Sequence, residues 1–431
     1  MKRLAYNKLI EWKNKVDRKP LIINGARQVG KTWILKEFGA NEYSSVAYIN
    51  CDEIDAMKNA FSDFNIDRLI RTFSVLSGVT IKPQETLIIL DEIQQVPIAI
   101  TSLKYFCENA PEYHIAVAGS LLGIGLHEGT GFPVGKVDEI NLYPLSFKEF
   151  LFAMGNDILV KNMEEHRWDE LSSFSNMFIE LLRQYYYVGG MPEVVKSYIE
   201  HKDVFEVRNI QKQILADYRR DFSKHVPAAL LPKVNMVWDC IPSQLAKENK
   251  KFIYGVVREG GRAKDFETAI MWLCDCGLVH KVSRITTPNL PLKAYEDLKA
   301  FKLFLLDVGL LGCMSGISKS VLLDGNDMFK EFKGALTEQY VAQELTASGN
   351  ILYYYSSESS SGEVDFLLQK EGKYIPLEVK AEENLKSQSL KAFCKKYSPD
   401  ISIRSSMSDY REQAWMVNVP LYMISDYINT L

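Results

Sequence analysis

The segment Gly25-Ala26-Arg27-Gln28-Val29-Gly30-Lys31-Thr32 constrains this chain more than any other. Glycines at its first and sixth positions let backbone N–H groups curl around an anion. The helix expected over residues 31–38 presents its N-terminus to the same negative charge. Lys31 is placed to reach β- and γ-phosphates, and Thr32 to offer its hydroxyl to Mg²⁺. Leu21-Ile22-Ile23 just before the loop reads as a short buried strand, which is the context such a loop requires. All eight residues from Gly25 to Thr32 are therefore expected to line a nucleoside triphosphate, ATP with Mg²⁺, as a P-loop NTPase does.

An independent signal follows. Thr86-Leu87-Ile88-Ile89-Leu90 is a continuous apolar run that ends in Asp91-Glu92. Asp91 at the end of such a strand is expected to share the metal shell with Thr32, and Glu92 to polarise the attacking water. Ser120 follows the strand-like run Ile115-Ala116-Val117-Ala118-Gly119 and is a candidate for sensing the γ-phosphate or orienting water. Lys31, Glu92 and Ser120 are thus the expected catalytic set. Arg27 is a further phosphate candidate, and Lys136 a candidate for reaching across a subunit boundary.

Strand runs at 21–23, 45–50, 86–90 and 115–118 alternate with helical patterns, so the first part reads as α/β with a mostly parallel sheet covered on both faces. With 431 residues, 47% of them hydrophobic, the chain is long enough for two or three cores. Three units are expected: 1–150, 151–320 and 321–431. The second is mainly helical and ends in a hairpin pattern over 278–308, a winged-helix-like arrangement. The third opens with a helix near 329–347 and continues with strands near 351–355, 362–369, 373–380 and 401–404.

The 51 Lys and Arg residues nearly balance 55 Asp and Glu, so bulk charge does not announce nucleic-acid binding and leaves it to local patches. The seven cysteines are scattered without a metal-ligand pattern and read as buried thiols. Residues 1–16 mix charge with apolar groups, unlike a signal peptide, and no run is long enough to span a membrane. The expected location is the cytoplasm.

A second constellation lies near the C-terminus. If Glu371-Gly372 is a two-residue turn, Val364 faces Val379, Phe366 faces Leu377 and Leu368 faces Ile375 on one apolar face. Asp365 then faces Glu378 on the other, with Lys380 beside them. Opposed carboxylates repel, and a divalent cation would relieve them. Glu338 lies in the helical segment 331–347 on a stripe with Ala335, Val341, Ala342 and Leu345, so it too is a candidate to point inward.

Taken together these motifs resemble the prokaryotic AAA-type ATPases that carry a C-terminal domain of unknown function. Asn24 to Thr32, Leu90-Asp91-Glu92-Ile93-Gln94 and Gly119-Ser120 match. So do Leu142-Tyr143-Pro144-Leu145-Ser146-Phe147, Val188-Gly189-Gly190-Met191-Pro192-Glu193 and Leu306-Asp307-Val308-Gly309-Leu310. The resemblance implies a winged-helix-like module and a C-terminal α/β domain similar to the restriction-endonuclease-like fold. Glu338, Asp365, Glu378 and Lys380 would then be a nuclease-like site with a second divalent metal. Gly135-Lys136 departs from the Gly-Arg common in this family, and lysine lacks the guanidinium fork.

Two readings stay open. In one, ATP drives a switch on DNA or a DNA-associated partner, with the C-terminal domain a metal-dependent nuclease or its inactive relative, and the chain a candidate homo-oligomer. In the other, a slow ATPase uses its C-terminal domain to hold a protein partner, and the lysines between Lys247 and Lys251 are ordinary solvated surface.

Overall fold

The computed structural model describes residues 1–52, 60–61, 63–119, 131–247, 250–318, 330–357, 362–381 and 387–431. Its contacts group into two units: Met1–Tyr143 with Asp275–Gly277, and Pro144–Cys274 with Leu278–Leu431.

In the first unit, strands β1 (Leu21–Asn24), β2 (Ser45–Asn50), β3 (Thr86–Asp91), β4 (His114–Ala118) and β5 (Asp138–Asn141) form one sheet in the order β2-β3-β4-β1-β5. Every pairing is parallel. β3 and β4 are buried along their whole length, as expected of central strands covered on both faces. Helices Lys31–Glu42, Ile66–Ser77 and Pro97–Asn109 supply the cover. Among the described residues β5 pairs only with β1, so its Asp138-Glu139-Ile140-Asn141 needs no apolar alternation on its other edge. That polarity hides it from a hydrophobicity reading. Ligands of such open sheets bind beyond the carboxyl ends of the strands, and the Gly25–Thr32 loop and Asp91 lie at those ends of β1 and β3.

The second unit begins with helices and ends in an eight-stranded mixed sheet. Strands β6 (Val279–Ile285), β7 (Glu296–Leu305), β8 (Tyr353–Ser356), β9 (Glu363–Lys370), β10 (Lys373–Val379), β11 (Ile403–Ser406), β12 (Arg411–Gln413) and β13 (Met416–Pro420) run in the order β12-β13-β11-β10-β9-β8-β6-β7. The hairpin expected over 278–308 is β6–β7, and it does not stand apart as a wing. β6 pairs in parallel with β8, which continues the hairpin into the C-terminal sheet. The sheet therefore crosses the boundary expected near residue 320.

The Glu371-Gly372 turn has φ of 43° and 76°, the left-handed pair that a tight hairpin needs. It sets the expected register, with Phe366 opposite Leu377 and Leu368 opposite Ile375. The expectation of three apolar pairs on one face needs correction. The β8–β9 register shifts, so Tyr353 lies opposite Leu367 and Tyr355 opposite Val364. This irregularity puts Val364 and Leu367 in one core with Tyr353, Tyr355, Leu390 and Phe393, while the Phe366 ring meets Phe304 at 5.6 Å. A bulge of this kind breaks strict alternation and re-aims side chains.

Three of the sequence phrases meet inside this unit through buried hydrogen bonds. Leu145 N–H donates to Gly190 O (2.6 Å), and Gly190 N–H to Asp307 Oδ2 (2.6 Å). Asp307 also caps the helix Val308–Met314 by accepting from Leu310 N–H (2.9 Å). Tyr185 donates its hydroxyl to Leu145 O and accepts from Gln343 Nε2 (2.7 Å), while Gln343 Oε1 takes the Val308 N–H (2.8 Å). Ser146 and Glu149 form a capping box on the helix Phe147–Ala153, and Phe147 N–H donates to Glu344 Oε1 (2.8 Å). A Cβ on Gly190 would sit 2.1 Å from Leu145 O, so only glycine permits the crossing.

Two outcomes follow from this packing. Gly190→Ala forces these backbones apart and is expected to destabilise the chain by about 3 kcal/mol or more, measured as a lowered urea midpoint followed by tryptophan fluorescence. Burial pushes the Glu344 carboxyl up to about 8 from its ordinary 4.5. A carboxyl raised on folding favours the folded state fully below its unfolded value, and that contribution is lost as pH rises toward the folded one. Glu344→Gln keeps an acceptor for Phe147, so it is expected to raise Tm by about 4 °C or more near pH 8.5 while changing little near pH 5.

Candidate functional site

The turn after β1 is shaped by its close contacts. A Cβ on Gly25 would lie 2.3 Å from Leu142 O, and Gly30 has φ of 95°, in the left-handed region. Ala26 and Val29 are buried and anchor the loop to the core, whereas Arg27 is exposed. Gln28 has φ of 67°. Arg3 braces the loop by donating to Val29 O (2.9 Å) and Tyr143 O (2.6 Å). Nothing in the N-terminal helical pattern marked Arg3 for this role.

Lys31 opens the helix Lys31–Glu42 and is almost fully buried. Its ammonium donates to the carbonyls of Gly25 (2.8 Å) and Ala26 (2.7 Å), so it lies folded over its own loop. Burial lowers its pKa to about 8, against the pull of Glu92 and Asp91. Thr32 Oγ1 donates to Asp91 Oδ2 at 2.7 Å. The same oxygen accepts from the Tyr48 hydroxyl on β2 at 3.0 Å. Tyr48 was missing from the sequence reading, and the Lys36 ammonium lies 3.4 Å from its ring centroid. Glu92 has φ of 52°, and its carboxylate accepts from Gln94 Nε2 (2.5 Å). This arrangement sets a buried cation, a hydroxyl and two carboxylates around the end of β3. It is suited to a polyanion with a hard cation, since Thr32 and Asp91 supply only oxygen donors and already lie within hydrogen-bond reach of each other.

Ser120 lies outside the described residues. Lys136 forms an ion pair with Glu108 of its own chain at 3.0 Å.

The C-terminal residues lie in a second cluster. Glu338 projects inward from the helix Lys330–Ala347 and is buried. Asp365 accepts from Val379 N–H at 2.7 Å, which puts a side chain where the β9–β10 ladder ends. Burial, and then Glu338, push its carboxyl up to about 7. Glu378 is buried and pairs with Lys380 at 2.8 Å, and the Lys380 ammonium also feels Asp365 and Glu338. The sequence reading missed two further members. Lys302 on β7 is fully buried, 2.5 Å from Glu363 Oε1 and 3.6 Å from Glu338 Oε2. Lys250 pairs with Glu338, so it is not the solvated surface residue expected for the 247–251 run. Among the described residues no group of three or more His, Cys, Asp or Glu side chains is placed to hold a metal ion. The residues present do not fit the second divalent metal, because lysines already meet Glu338, Glu363 and Glu378, and Asp365 is taken up by the Val379 amide.

Among the described residues no helix is long and apolar enough to cross a membrane. The AAA domain family matches residues 17–151. Two domains of unknown function match residues 179–321 (DUF8612) and 333–424 (DUF4143). No curated protein sequence matches the chain. Among solved structures, a Walker-type ATPase of Pyrococcus abyssi is 13% identical, with 73% of this chain and 95% of that one covered and a TM-score of 0.46. The Aeropyrum pernix Orc1 protein, solved in complex with DNA, is 12% identical, with 73% and 91% covered and a TM-score of 0.28. AMPPCP-bound DnaA from Aquifex aeolicus is 14% identical, with 63% and 86% covered and a TM-score of 0.27. With the Gly25–Thr32 loop and the Asp91 strand at its centre, the segment 17–151 is an AAA-type ATPase domain, and the chain carries it ahead of two segments matching domains of unknown function.

Proposed function

We propose that this ATPase binds ATP with Mg²⁺ at the ends of β1 and β3 and uses hydrolysis to switch its state on DNA or a DNA-associated partner. The observation that carries the nucleotide reading is the convergence of Lys31, Thr32 and Asp91 at the end of the Gly25–Gly30 loop. Lys31 exchanges the Gly25 and Ala26 carbonyls for β- and γ-phosphate oxygens. Thr32 and Asp91 hold Mg²⁺, which supplies charge neutralisation on the phosphates when bound. Tyr48 fixes the Asp91 carboxylate from the neighbouring strand. Glu92, released from Gln94, accepts a proton from the attacking water. Arg27, Gln28 and the glycine N–H groups cradle the remaining phosphate oxygens. Ser120 keeps its proposed role beside the γ-phosphate.

What supports DNA as the partner is the C-terminal architecture: a mixed sheet flanked by the helices Lys330–Ala347 and Gln388–Tyr397 around a polar cluster. One observation favours the protein-partner reading instead. Arg220 on the helix Val204–His225 pairs with Asp217 at 2.6 Å and Arg219 pairs with Asp239, so these cations are engaged within the chain. Assembly into a homo-oligomer is compatible with either reading.

Paired assays test the proposal. Lys31→Ala is expected to lower ATP turnover at least about 100-fold, because a buried charge aimed at the transferring phosphoryl group is removed. ATP affinity in the wild type is expected to fall as pH rises through about 8, where Lys31 gives up its proton, and Lys31→Arg to remove that inflection. Duplex DNA is expected to stimulate turnover at low salt. No binding at low salt, where phosphate contacts are strongest, would remove the DNA reading and leave the protein partner. Plasmid nicking with Mg²⁺ or Mn²⁺, abolished by Asp365→Ala, would overturn the view that the C-terminal cluster does not take a divalent metal.

A further inference from the structure

The C-terminal cluster brings together groups from five stretches of chain. Glu338 comes from the helix Lys330–Ala347, Glu363 and Asp365 from β9, Glu378 and Lys380 from the end of β10, Lys302 from β7, and Lys250 from the segment after the helix Leu231–Leu245. Four carboxyl groups in one buried region are untenable without compensating charge. In a metal centre a divalent ion supplies it. Here Lys302 has no exposure to solvent and bridges two of the carboxylates, at 2.5 Å from Glu363 and 3.6 Å from Glu338. Lys250, itself slightly exposed, closes on the other oxygen of Glu338. A surface lysine turned inward by chance would leave its ammonium in water, because a four-carbon stem easily reaches it. Lys302 is placed otherwise: its strand neighbours Phe301 and Leu303 to Leu305 are all buried, and its ammonium lies 4.9 Å from the Tyr354 ring centroid.

We propose that Lys302, with Lys250, takes the place of a divalent cation in this cluster, so that the centre is assembled by an internal ammonium and excludes metal. Lys302 is a fixed counter-ion to Glu338 and Glu363. Lys250 reaches the same centre from a partly exposed segment and is the member whose departure would first admit an ion. Glu378 Oε1 pairs with Lys380 at 2.8 Å, and this pair stays in place when Lys302 or Lys250 is lost. The proposal concerns the cluster that, in the reading above, serves a DNA or protein partner. Its readout is metal affinity, so it can fail while the chain still binds DNA, and hold if the chain does not.

The test uses the full chain without nucleotide, in an Asp91→Asn background so that the nucleotide-site carboxylate contributes no ion. Mn²⁺ binding is followed by electron paramagnetic resonance, with thermal melting in parallel. The unaltered cluster is expected to bind no Mn²⁺ and to melt at the same temperature in EDTA and in Mn²⁺. Lys302→Met is expected to melt lower in EDTA, to recover in Mn²⁺, and to gain one site at least about tenfold tighter than any in its parent. Adding Asp365→Asn to that variant removes the new site. Lys250→Met, at a more exposed position, decides the matter if Lys302→Met does not fold, and the same gain is expected of it. Mn²⁺ bound by the unaltered cluster and lost on Asp365→Asn overturns the proposal. So does a lysine variant that folds and gains no ion.

Discussion

Gly190 is where the second unit is tied together. Its N–H and its carbonyl are spent on Asp307 and Leu145, two points far apart in sequence, and both bonds lie where water cannot substitute. An unpaired backbone group in such a place carries a penalty of about 1–3 kcal/mol, so each bond fixes where the other strand of chain must run. Gln343 and Tyr185 extend the constraint by joining the Leu145 carbonyl to the amide of Val308. The helix Lys330–Ala347 that carries Gln343 also carries Glu338. The polar tie and the carboxylate cluster therefore share one rigid element, and the position of Glu338 is inherited from bonds made more than one helical turn away.

The first unit obeys a different constraint, that of a parallel sheet covered on both sides. Continuous apolar runs such as Leu87 to Leu90 have no polar face to offer, so they can only be central strands, and the chemistry is confined to their ends. This is why Asp91 and the Gly25–Thr32 loop were legible from composition and order alone. β5 was not, because an edge strand may be as polar as Asp138-Glu139-Ile140-Asn141 and still pair.

In the second unit the hairpin register was legible because Glu371-Gly372 admits few turn geometries. The β8–β9 irregularity was not, since nothing in Glu363 to Lys370 records that its partner strand is out of step. The lysines were the largest omission. A lysine in a strand reads as outward-facing, and a lysine in the run Lys247 to Lys251 reads as solvated. Only the fold shows that β7 lies at the sheet edge beside the helix bearing Glu338, where an inward ammonium meets carboxylates. Tyr48 and Arg3 escaped for a related reason: each acts on a residue more than twenty positions away, and local pattern carries no trace of that.

The posture of Lys31 has a consequence for how the ATPase exchanges its nucleotide. The Lys31 ammonium already has partners in the Gly25 and Ala26 carbonyls, bonds that belong to the loop itself. An incoming triphosphate trades one set of partners for another, and a departing diphosphate hands the lysine back to the loop. Such a swap makes the ammonium's contribution to nucleotide binding the difference between two sets of bonds and not the whole of the new one.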